Sequence, residues 1–414
     1  MEEFVIPPHF LCPISLEIMR DPVTISTGIT YDRESIEQWW FTSKNNTCPV
    51  SKKSLSDVDA DLTPNHTLRR IIQAWCTLNS SYGVELIPTP KSALDKSQVV
   101  MLIEQAKKIP HTNLHCLQRL RSIAIQGERN KNCLEAAGAI EYVASIINKS
   151  QSDSSTVEAA IEVLFHFKSS ESRLKDLMSN DSNNNNITES LVRVLDCGNY
   201  QSRAHAIMLL KSFFEVADPI QLINVDVESF RQIVHVLNGR ISQAASKAAL
   251  KLLVELCPWG RNRIKAVQSG AVSVLTEALL GTQEKRTCEL ILIILEQLCG
   301  CAEGRAELLK HGAGLAIVSK KILRVSHVAS DRAVRILSSI CRFSATCGVL
   351  QDMLQVGAVA KLCLVLQVDC RFKTKEKARV VLKLHSRVWK NSSCIPDHLL
   401  PFYPDQDPLL SLRG

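Results

Sequence analysis

The sequence predicts a mostly α-helical protein, in which a small α+β domain is followed by an α-solenoid of helical repeats. Hydrophobic residues make up 45% of the 414 residues but aromatic residues only 5%. That balance favours small and medium side chains packed between helices over a β-sandwich or barrel. A proline-rich stretch around a glycine turn marks the α+β segment, and a helical pattern that recurs along the rest marks the solenoid.

A β-hairpin is predicted near the amino terminus. Pro22–Ile25 and Ile29–Tyr31 are rich in β-branched residues, and Ser26-Thr27-Gly28 lies between them. Gly28 can adopt the positive φ that a tight turn requires. The two segments are therefore predicted to pair as antiparallel strands.

Two helices are predicted to complete this domain. Asp32 can cap a helix from Arg33 to about Phe41, on which Ile36 and Trp40 share a buried face. Asn65 can cap a closing helix. The apolar residues at helical spacing on that second helix are Leu68, Ile71, Ile72 and Trp75.

A zinc site is the alternative for this segment. The available ligands are Cys12, Cys48, Cys76, His9 and His66, and none of them forms a C-x-x-C pair. Two interleaved four-ligand zinc sites would need more ligands at characteristic spacings. We predict that no metal is bound. Since no His or Asp constellation accompanies Cys12, a structural role is predicted for it rather than that of a catalytic thiol.

Four stretches of this segment closely resemble the U-box, and the match covers nearly all of residues 6 to 78. The stretches are Pro8–Val23, the turn Gly28–Arg33, Cys48-Pro49-Val50 and Leu62–Arg69. The resemblance implies a RING-like domain held by hydrogen bonds and salt bridges instead of zinc. It also implies that two loops and a central helix form a shallow apolar groove for a ubiquitin-conjugating enzyme loaded with ubiquitin.

Carried over by position, the groove anchors are Ile14 in the first loop, Trp39 in the helix and Pro49 in the second loop. These are residue types that protein-docking surfaces use. The alternatives are that Ile14 and Trp39 belong to the core and that Pro49 only shapes its loop. Lys52 occupies the place of a basic residue that bridges the conjugating enzyme and its ubiquitin; Arg is commoner there, and Lys lacks its planar fork. Residues expected to hold the U-box together are Cys12, Pro13, Gly28, Tyr31, Asp32 and Asn65.

Beyond residue 97 an i, i+3, i+6 apolar ridge occurs seven times, at intervals of 42 to 46 residues. The copies are Leu117-Leu120-Ile123, Ile161-Leu164-Phe167, Ile207-Leu210-Phe213, Leu250-Leu253-Leu256, Leu292-Leu295-Leu298, Val334-Leu337-Ile340 and Ala378-Val381-Leu384. A Gly-Ala step, at Gly138, Gly270, Gly312 and Gly357, has the same period. Two landmarks with one period predict a solenoid.

This pattern resembles armadillo repeats of three helices each, over residues 98 to 390, although HEAT-type repeats share the period. Two copies, near Ile187 and Val227, lack the Gly-Ala step and are predicted to be irregular. Such an array can hold an extended protein segment on the surface lined by its third helices. Candidate groove residues are Arg203, Lys247, Arg332 and Lys375, with ordinary solvated cations as the alternative interpretation.

The predicted organisation is a U-box over residues 5–79, a linker over 80–97, about seven armadillo-type repeats over 98–390 and a tail over 391–414. The combination resembles compact plant U-box ubiquitin ligases, which implies ubiquitin transfer to a protein substrate. No covalent intermediate on this chain and no cofactor are expected, because a ligase of this kind acts by proximity and orientation. The alternative function is a non-catalytic adaptor.

The expected partners are a ubiquitin-conjugating enzyme carrying thioester-linked ubiquitin and a protein substrate on the armadillo groove. A homodimer through the U-box is left open. The net charge of +7 is spread along the chain and forms no basic stripe, so no nucleic-acid partner is expected. The absence of an apolar run near twenty residues predicts no integral membrane segment. Fifteen scattered cysteines suggest a reducing compartment, the cytoplasm, with the nucleus or peripheral membrane association left open.

Overall fold

The computed structural model describes residues 6–43, 47–53, 62–85, 96–148, 153–167, 171–179, 187–390, 392 and 394–404. The chain divides into two compact units, residues 1–145 and 146–414. The middle of the predicted linker and half of the predicted tail lie outside the described residues.

The first unit contains a small sheet and several helices. Its elements are β1 (Pro22–Thr24), β2 (Thr30–Asp32), α1 (Arg33–Ser43), β3 (Thr63–Pro64), α2 (His66–Leu78), α3 (Lys96–Lys108), α4 (Asn113–Ala124) and α5 (Glu128–Ala136), with α6 (Ala139–Asn148) crossing its end.

The second unit is helical throughout the part that the structure describes. Its elements are α7 (Ser154–His166), α8 (Glu171–Ser179), α9 (Ile187–Cys197), α10 (Tyr200–Val216), α11 (Pro219–Ile223), α12 (Val227–Gly239), α13 (Gln243–Leu256), α14 (Gly260–Gln268), α15 (Ala271–Gly281), α16 (Lys285–Leu298), α17 (Ala302–Lys310), α18 (Gly314–Lys321), α19 (His327–Phe343), α20 (Cys347–Gln355), α21 (Ala358–Gln367), α22 (Phe372–Leu384) and α23 (Ser386–Trp389).

The predicted hairpin is confirmed. β1 pairs antiparallel with β2, with Val23 opposite Tyr31, and Gly28 in the turn has a φ of 81°. β3 pairs with the other edge of β1, which gives the order β2-β1-β3. The sequence did not predict β3, since two residues carry no periodic signal, and Pro64 is tolerated there because the strand lies at an edge.

The predicted helices flanking this sheet are also present. α1 begins at Arg33, and Ile36 is fully buried. On α2, Asn65 Oδ1 accepts a hydrogen bond from the Leu68 amide, as an N-cap should. Ile71 was predicted on the apolar face but is exposed, because it lies about 100° round the helix from the buried Ile72.

The core of this α+β part consists of ten buried side chains from all of its elements. They are Phe10, Cys12, Met19, Val23, Ile25, Tyr31, Ile36, Cys48, Ile72 and Cys76.

Within the first unit, helix α1 packs against helix α5 of the helical array. Glu37 of α1 is buried, and its Oε1 lies 3.8 Å from Arg33 Nη1 and 3.9 Å from Arg129 Nη1 of α5. Burial raises the pKa of Glu37, although the two guanidinium groups oppose that shift. The contact between α1 and α5 thus places a buried carboxylate between two guanidinium groups, one from each helix.

Every third helix of the array carries the predicted ridge: α4, α7, α10, α13, α16, α19 and α22. All ridge residues are buried except Leu384, which is 50% exposed at the end of the last copy. Sets of three helices repeat from α8–α10 to α20–α22, and the successive third helices α10, α13, α16, α19 and α22 contact each other in that order. The predicted helical solenoid is confirmed.

Three of the four predicted Gly-Ala steps share one backbone conformation. Gly138, Gly270 and Gly357 have φ values of 80°, 79° and 69°, the left-handed region that ends a helix. At the fourth step it is Gly314 rather than Gly312 that is constrained, because a Cβ on Gly314 would lie 2.1 Å from the Leu308 carbonyl oxygen. Glycine is therefore required there for close approach of two backbones.

The repeat that was predicted to be irregular near Val227 has a shortened first helix. α11 spans only five residues, whereas α14, α17 and α20 each span nine. Asp226 accepts a hydrogen bond from the Ser229 amide and so caps α12 in place of the glycine step. The asparagine run predicted to lengthen the other irregular copy lies outside the described residues.

Buried side chains close the ends of some third helices. Arg305 is buried, and its guanidinium donates to the Cys299 carbonyl and to Ser344 Oγ, each at 3.0 Å, while lying 5.0 Å from the Phe343 ring. The bond from Arg305 and a second one from the Ser339 hydroxyl satisfy the Cys299 carbonyl, which the end of α16 leaves without an intrahelical partner.

Candidate functional site

The first Cys-Pro loop, Cys12–Glu17, is closed by its own backbone. The Cys12 amide donates to the Glu17 carbonyl at 2.8 Å, and the Leu16 amide donates to the Cys12 carbonyl at 2.8 Å. Leu16 takes a φ of 58° to make this closure, and its side chain is 73% exposed.

The second Cys-Pro loop, Cys48–Lys53, has the same geometry. The Cys48 amide donates to the Lys53 carbonyl at 2.9 Å, the Lys52 amide donates to the Cys48 carbonyl at 3.0 Å, and Lys52 has a φ of 57°. Val50 is 53% exposed at its tip. The two loops are therefore structural counterparts, with Val50 in the place of Ile14.

The Asp32 carboxylate fixes the first loop to the hairpin. Asp32 Oδ1 accepts hydrogen bonds from the amides of Arg20 and Asp21 at 2.8 and 2.9 Å, and the Asp32 amide donates to Cys12 Sγ at 3.3 Å. The bonds of this oxygen go to the segment that follows the first loop, and not to the first turn of α1, where a cap was predicted.

Asp21 in turn joins the loop to both helices. Its carboxylate accepts a hydrogen bond from Arg33 Nε at 2.6 Å and lies 3.6 Å from Arg69 Nη1. All three side chains are mostly buried. A pair of this kind, with fixed geometry, contributes more than an exposed surface pair.

Cys48 anchors the second loop to the sheet. Its Sγ lies 3.2 Å from the Tyr31 hydroxyl and 3.6 Å from the Thr27 hydroxyl, and it accepts from the Ser51 amide at 3.4 Å. Burial alone would raise its pKa, but the hydrogen bonds from Ser51, Tyr31 and Thr27 lower the pKa of Cys48 to about 6. Burial raises the pKa of Tyr31, and the neighbouring Cys48 adds to that shift.

In the described part of the chain no three His, Cys, Asp or Glu side chains are grouped to hold a metal ion. Cys12, Cys48 and Cys76 are free and completely buried. Burial opposes ionisation of Cys12, yet backbone hydrogen bonds lower its pKa. Because neither Cys12 nor Cys48 is exposed, these thiols serve as hydrogen-bond partners in the loops and are inaccessible to a thioester.

The structure brings Trp39 and the second loop together. Trp39 Nε1 donates to the Thr47 carbonyl at 3.0 Å, and Lys52 Nζ lies 6.0 Å from the centroid of the Trp39 ring. That distance is the outer limit of a cation–π contact.

Ile14, Trp39 and Pro49 are each half-buried. Ile14 and Trp39 pack partly on the core of the α+β part, so their inner faces contribute to the fold while their outer faces stay accessible. Their role in binding stays a prediction. The exposed Leu16 and Val50 were not selected from the sequence, although the repeated Cys-Pro-x-Ser pattern at Cys12 and Cys48 would have indicated that the two loops are equivalent.

The four predicted groove cations lie on third helices. Lys247 Nζ is 2.9 Å from Glu284 Oε1, and Arg332 Nη1 is 2.8 Å from Glu296 Oε2. Arg203 on α10 and Lys375 on α22 are half-buried. Lys247 and Arg332 are therefore each paired with a carboxylate of this chain.

A depression of about 240 Å³ lies between α19 and α22 and was not predicted. Its lining is cationic and partly apolar. It is formed by Arg335, Ser338, Arg342, Phe372, Lys373, Glu376, Lys377 and Val380.

In the ranges that the structure describes, no single helix is long and apolar enough to cross a membrane; α20 and α21 meet the length and composition limits only as a pair bent by 64°.

Comparison with known proteins gives two family matches. The U-box domain matches residues 6–81, and the plant U-box protein ARM repeat region matches residues 98–403. The E3 ubiquitin-protein ligase PUB23 of Arabidopsis thaliana is 54% identical over 406 residues, covering 97% of this chain and 98% of the relative. The E3 ubiquitin-protein ligase PUB22 of the same plant is 48% identical over 435 residues, covering 97% and 99%.

Among solved structures, one described as a phosphorylation switch controlling the interaction between cadherin and beta-catenin matches with a TM-score of 0.54. Its sequence identity is 14%, and the match covers 77% of this chain and 58% of that chain. This likeness concerns the fold of the repeats alone.

Proposed function

The chain belongs to the plant U-box proteins with an ARM repeat region, and from this premise we propose that it is a U-box E3 ubiquitin ligase. The observation that supports this most directly is the pair of matching Cys-Pro loops, each closed by its own backbone hydrogen bonds, with Trp39 bonded to the residue that precedes the second loop. The U-box recruits a ubiquitin-loaded conjugating enzyme, and the armadillo repeats hold the protein that receives ubiquitin.

The docking step uses the outer faces of Ile14, Trp39 and Pro49. Each lies on an element whose backbone is fixed by hydrogen bonds, so little side-chain or loop entropy is lost on binding. Lys52 extends from the second loop beside Trp39, where its charge can contact the conjugating enzyme or its ubiquitin. A Lys52→Arg variant supplies the planar fork and is expected to increase transfer.

The transfer step needs no reactive side chain of this chain. The conjugating enzyme supplies the thioester, and the ligase brings a substrate lysine to it and restrains the ubiquitin, which is catalysis by proximity and orientation. The buried Cys12 and Cys48 thiols are consistent with this, because a covalent relay would require an accessible sulfur.

We also propose that the protein is cytoplasmic, with the nucleus or a peripheral association with a membrane as alternatives. All fifteen cysteines are free, as a reducing compartment would keep them. Dimerisation through the U-box is a further proposal, which size-exclusion chromatography with light scattering can test.

The central test is a ubiquitination assay with the full chain, ubiquitin, activating enzyme and a panel of conjugating enzymes. Chains should form, and they should form equally well in a zinc-selective chelator. No chain formation with any conjugating enzyme would favour the non-catalytic adaptor, in which the U-box only docks or dimerises.

The anchors are tested by Ile14→Ala and Trp39→Ala. Each should weaken conjugating-enzyme binding by about 2 kcal/mol, roughly thirtyfold, since these are central aliphatic and aromatic contacts. Ile71→Ala is the matched control, because Ile71 is an exposed aliphatic residue on α2, outside both loops and α1, and its loss should leave chain formation unchanged. If the Ile14 variant lost its thermal stability as well as its activity, the residue would be core and its assignment as an anchor wrong.

A further inference from the structure

The depression between α19 and α22, which we call the basic pocket, lies on two successive third helices of the array. On α19, Arg335, Ser338 and Arg342 are spaced i, i+3 and i+7, so they share one face. On α22 the facing residues are Lys373 and Lys377, spaced i, i+4. Two cationic rows therefore face a common space.

The acidic groups near this pocket are already paired. Asp331 Oδ2 lies 2.8 Å from Arg335 Nε, and Glu376 pairs with Arg379. Asp331 Oδ1 also accepts the Thr374 hydroxyl at 2.8 Å. Both oxygens of the Asp331 carboxylate are thus paired, one with Arg335 of the same helix and the other with Thr374 of the next third helix.

Three cations of the pocket have no such partner. Arg342, Lys373 and Lys377 make no ion pair with any acidic side chain that the structure describes, and Arg342 and Lys373 are exposed. This distinguishes them from Lys247 and Arg332, whose charges are matched by Glu284 and Glu296.

The pocket also has an apolar side. Phe372 is 77% exposed at the start of α22, and Val380 lies two turns further along the same helix. A large exposed aromatic ring beside unpaired cations is typical of a protein-binding surface rather than of a solvated face.

We propose that the basic pocket binds an extended acidic segment of a partner protein, with carboxylates at Arg342, Lys373 and Lys377 and an aliphatic side chain against Phe372. The proposal deepens the proposed function, on which it rests, by naming the chemistry of the substrate segment. Charge complementarity carries it: the pocket lining has four cations and one acid, and that acid is paired outside the lining.

The spacing of the cations favours separate carboxylates over one phosphate. Packed helices lie about 10 Å apart, and an extended chain advances about 3.3 Å per residue, so one helix-to-helix step takes about three residues. A single phosphate would need converging guanidinium groups. Here Arg335 is held by Asp331, and the other cations come from two helices.

The test is fluorescence anisotropy with the full chain and a fluorescein-labelled peptide of about eight residues, long enough to span two such steps, in which glutamates surround two leucines. Binding should weaken as salt rises. The double variant Lys373→Gln, Lys377→Gln should raise Kd about tenfold, since each partly exposed ion pair is worth up to about fivefold. Glutamine keeps the helix propensity of lysine, so α22 should remain folded.

The matched control is Lys310→Gln, Lys320→Gln, which removes two exposed charges from α17 and α18 and should leave Kd unchanged. A second variant, Phe372→Ala, should weaken the peptide with leucines but not a peptide with alanines in their place.

Three outcomes would overturn the proposal. They are equal binding of a peptide with glutamine for glutamate, equal losses in the two double variants, and tighter binding of a phosphoserine peptide that lacks glutamates. None of them bears on ubiquitin transfer, because the assay contains no conjugating enzyme. A failure of the ligase assignment would appear only in the ubiquitination assay.

Discussion

Replacing Asp32 by alanine removes the carboxylate that holds the first loop against the hairpin. Its Oδ1 accepts from two backbone amides, those of Arg20 and Asp21, at 2.8 and 2.9 Å. Hydrogen bonds to a charged group contribute about 1.5 to 3 kcal/mol each when well shielded. Since the Arg20 amide is in an exposed setting, we expect about 2 kcal/mol for the pair together.

Hydrogen exchange of the Arg20 and Asp21 amides is the appropriate measurement, because a chain with two compact units need not unfold in one step. A loss of about 2 kcal/mol corresponds to about thirtyfold faster exchange at Arg20 and Asp21. Asp32→Asn keeps a neutral acceptor in place of the carboxylate and should lose about half that free energy. Ubiquitin-chain formation should fall in the same order, because Ile14 lies on the loop that is released.

Glu34→Ala is the control, since Glu34 is an exposed acid in the first turn of α1. It should change exchange at the loop by less than twofold, as about 0.3 kcal/mol implies. Unchanged protection of the Arg20 and Asp21 amides in Asp32→Ala would refute the reasoning. An equal loss of protection in Asp32→Ala and Glu34→Ala would refute it as well.

Three further perturbations follow from the structure. The folded-state pKa of Cys48, about 6, lies below its ordinary value of 9.0, so the unfolded state binds more protons between these two pH values. The stability of the U-box should therefore rise with pH across this window. Cys48→Ser should flatten that rise in urea titrations at successive pH values, and an unchanged slope would contradict the lowered pKa. Arg305→Lys should destabilise the repeats by about 2 kcal/mol in urea unfolding, because an ammonium group lacks the two coplanar N–H donors that bond the Cys299 carbonyl and the Ser344 hydroxyl. Unchanged stability would show that the planar guanidinium group is unimportant. Gly270→Ala, with open space around its Cβ, should cost about 1 kcal/mol, whereas Gly314→Ala meets a backbone oxygen and should cost more; the reverse order in thermal melts would contradict the geometric argument.

The sequence predicted best those features whose signal is local and repeated. The ridges around Leu253 and Leu295 were found because helical spacing and repeat period agree, and Asn65 because a cap lies next to the helix it stabilises. Asp32 was expected to cap α1, but the partners of its Oδ1 lie 11 and 12 residues away, and no periodic pattern reveals such a bond.

The groove cations show the same limit. The sequence placed Lys247 and Arg332 on third helices, yet their carboxylate partners are 37 and 36 residues away, one just before α16 and the other on it. Which cations remain unpaired depends on these long-range contacts. The charged run around Lys373 and Lys377, at i, i+4 after an unburied Phe372, was the available signal for the pocket.

The contact of α1 with α5 affects how the U-box can be transplanted. A fragment cut in the predicted linker would separate Glu37 from Arg129 and leave a buried carboxylate with Arg33 as its remaining cation. A chimaera that exchanges U-boxes between two family members should therefore carry the first helices of the array with the U-box, and be joined after α6, close to the boundary between the two units. Specificity for a substrate could then be re-routed by exchanging the repeats beyond that point, without disturbing the part that recruits the conjugating enzyme.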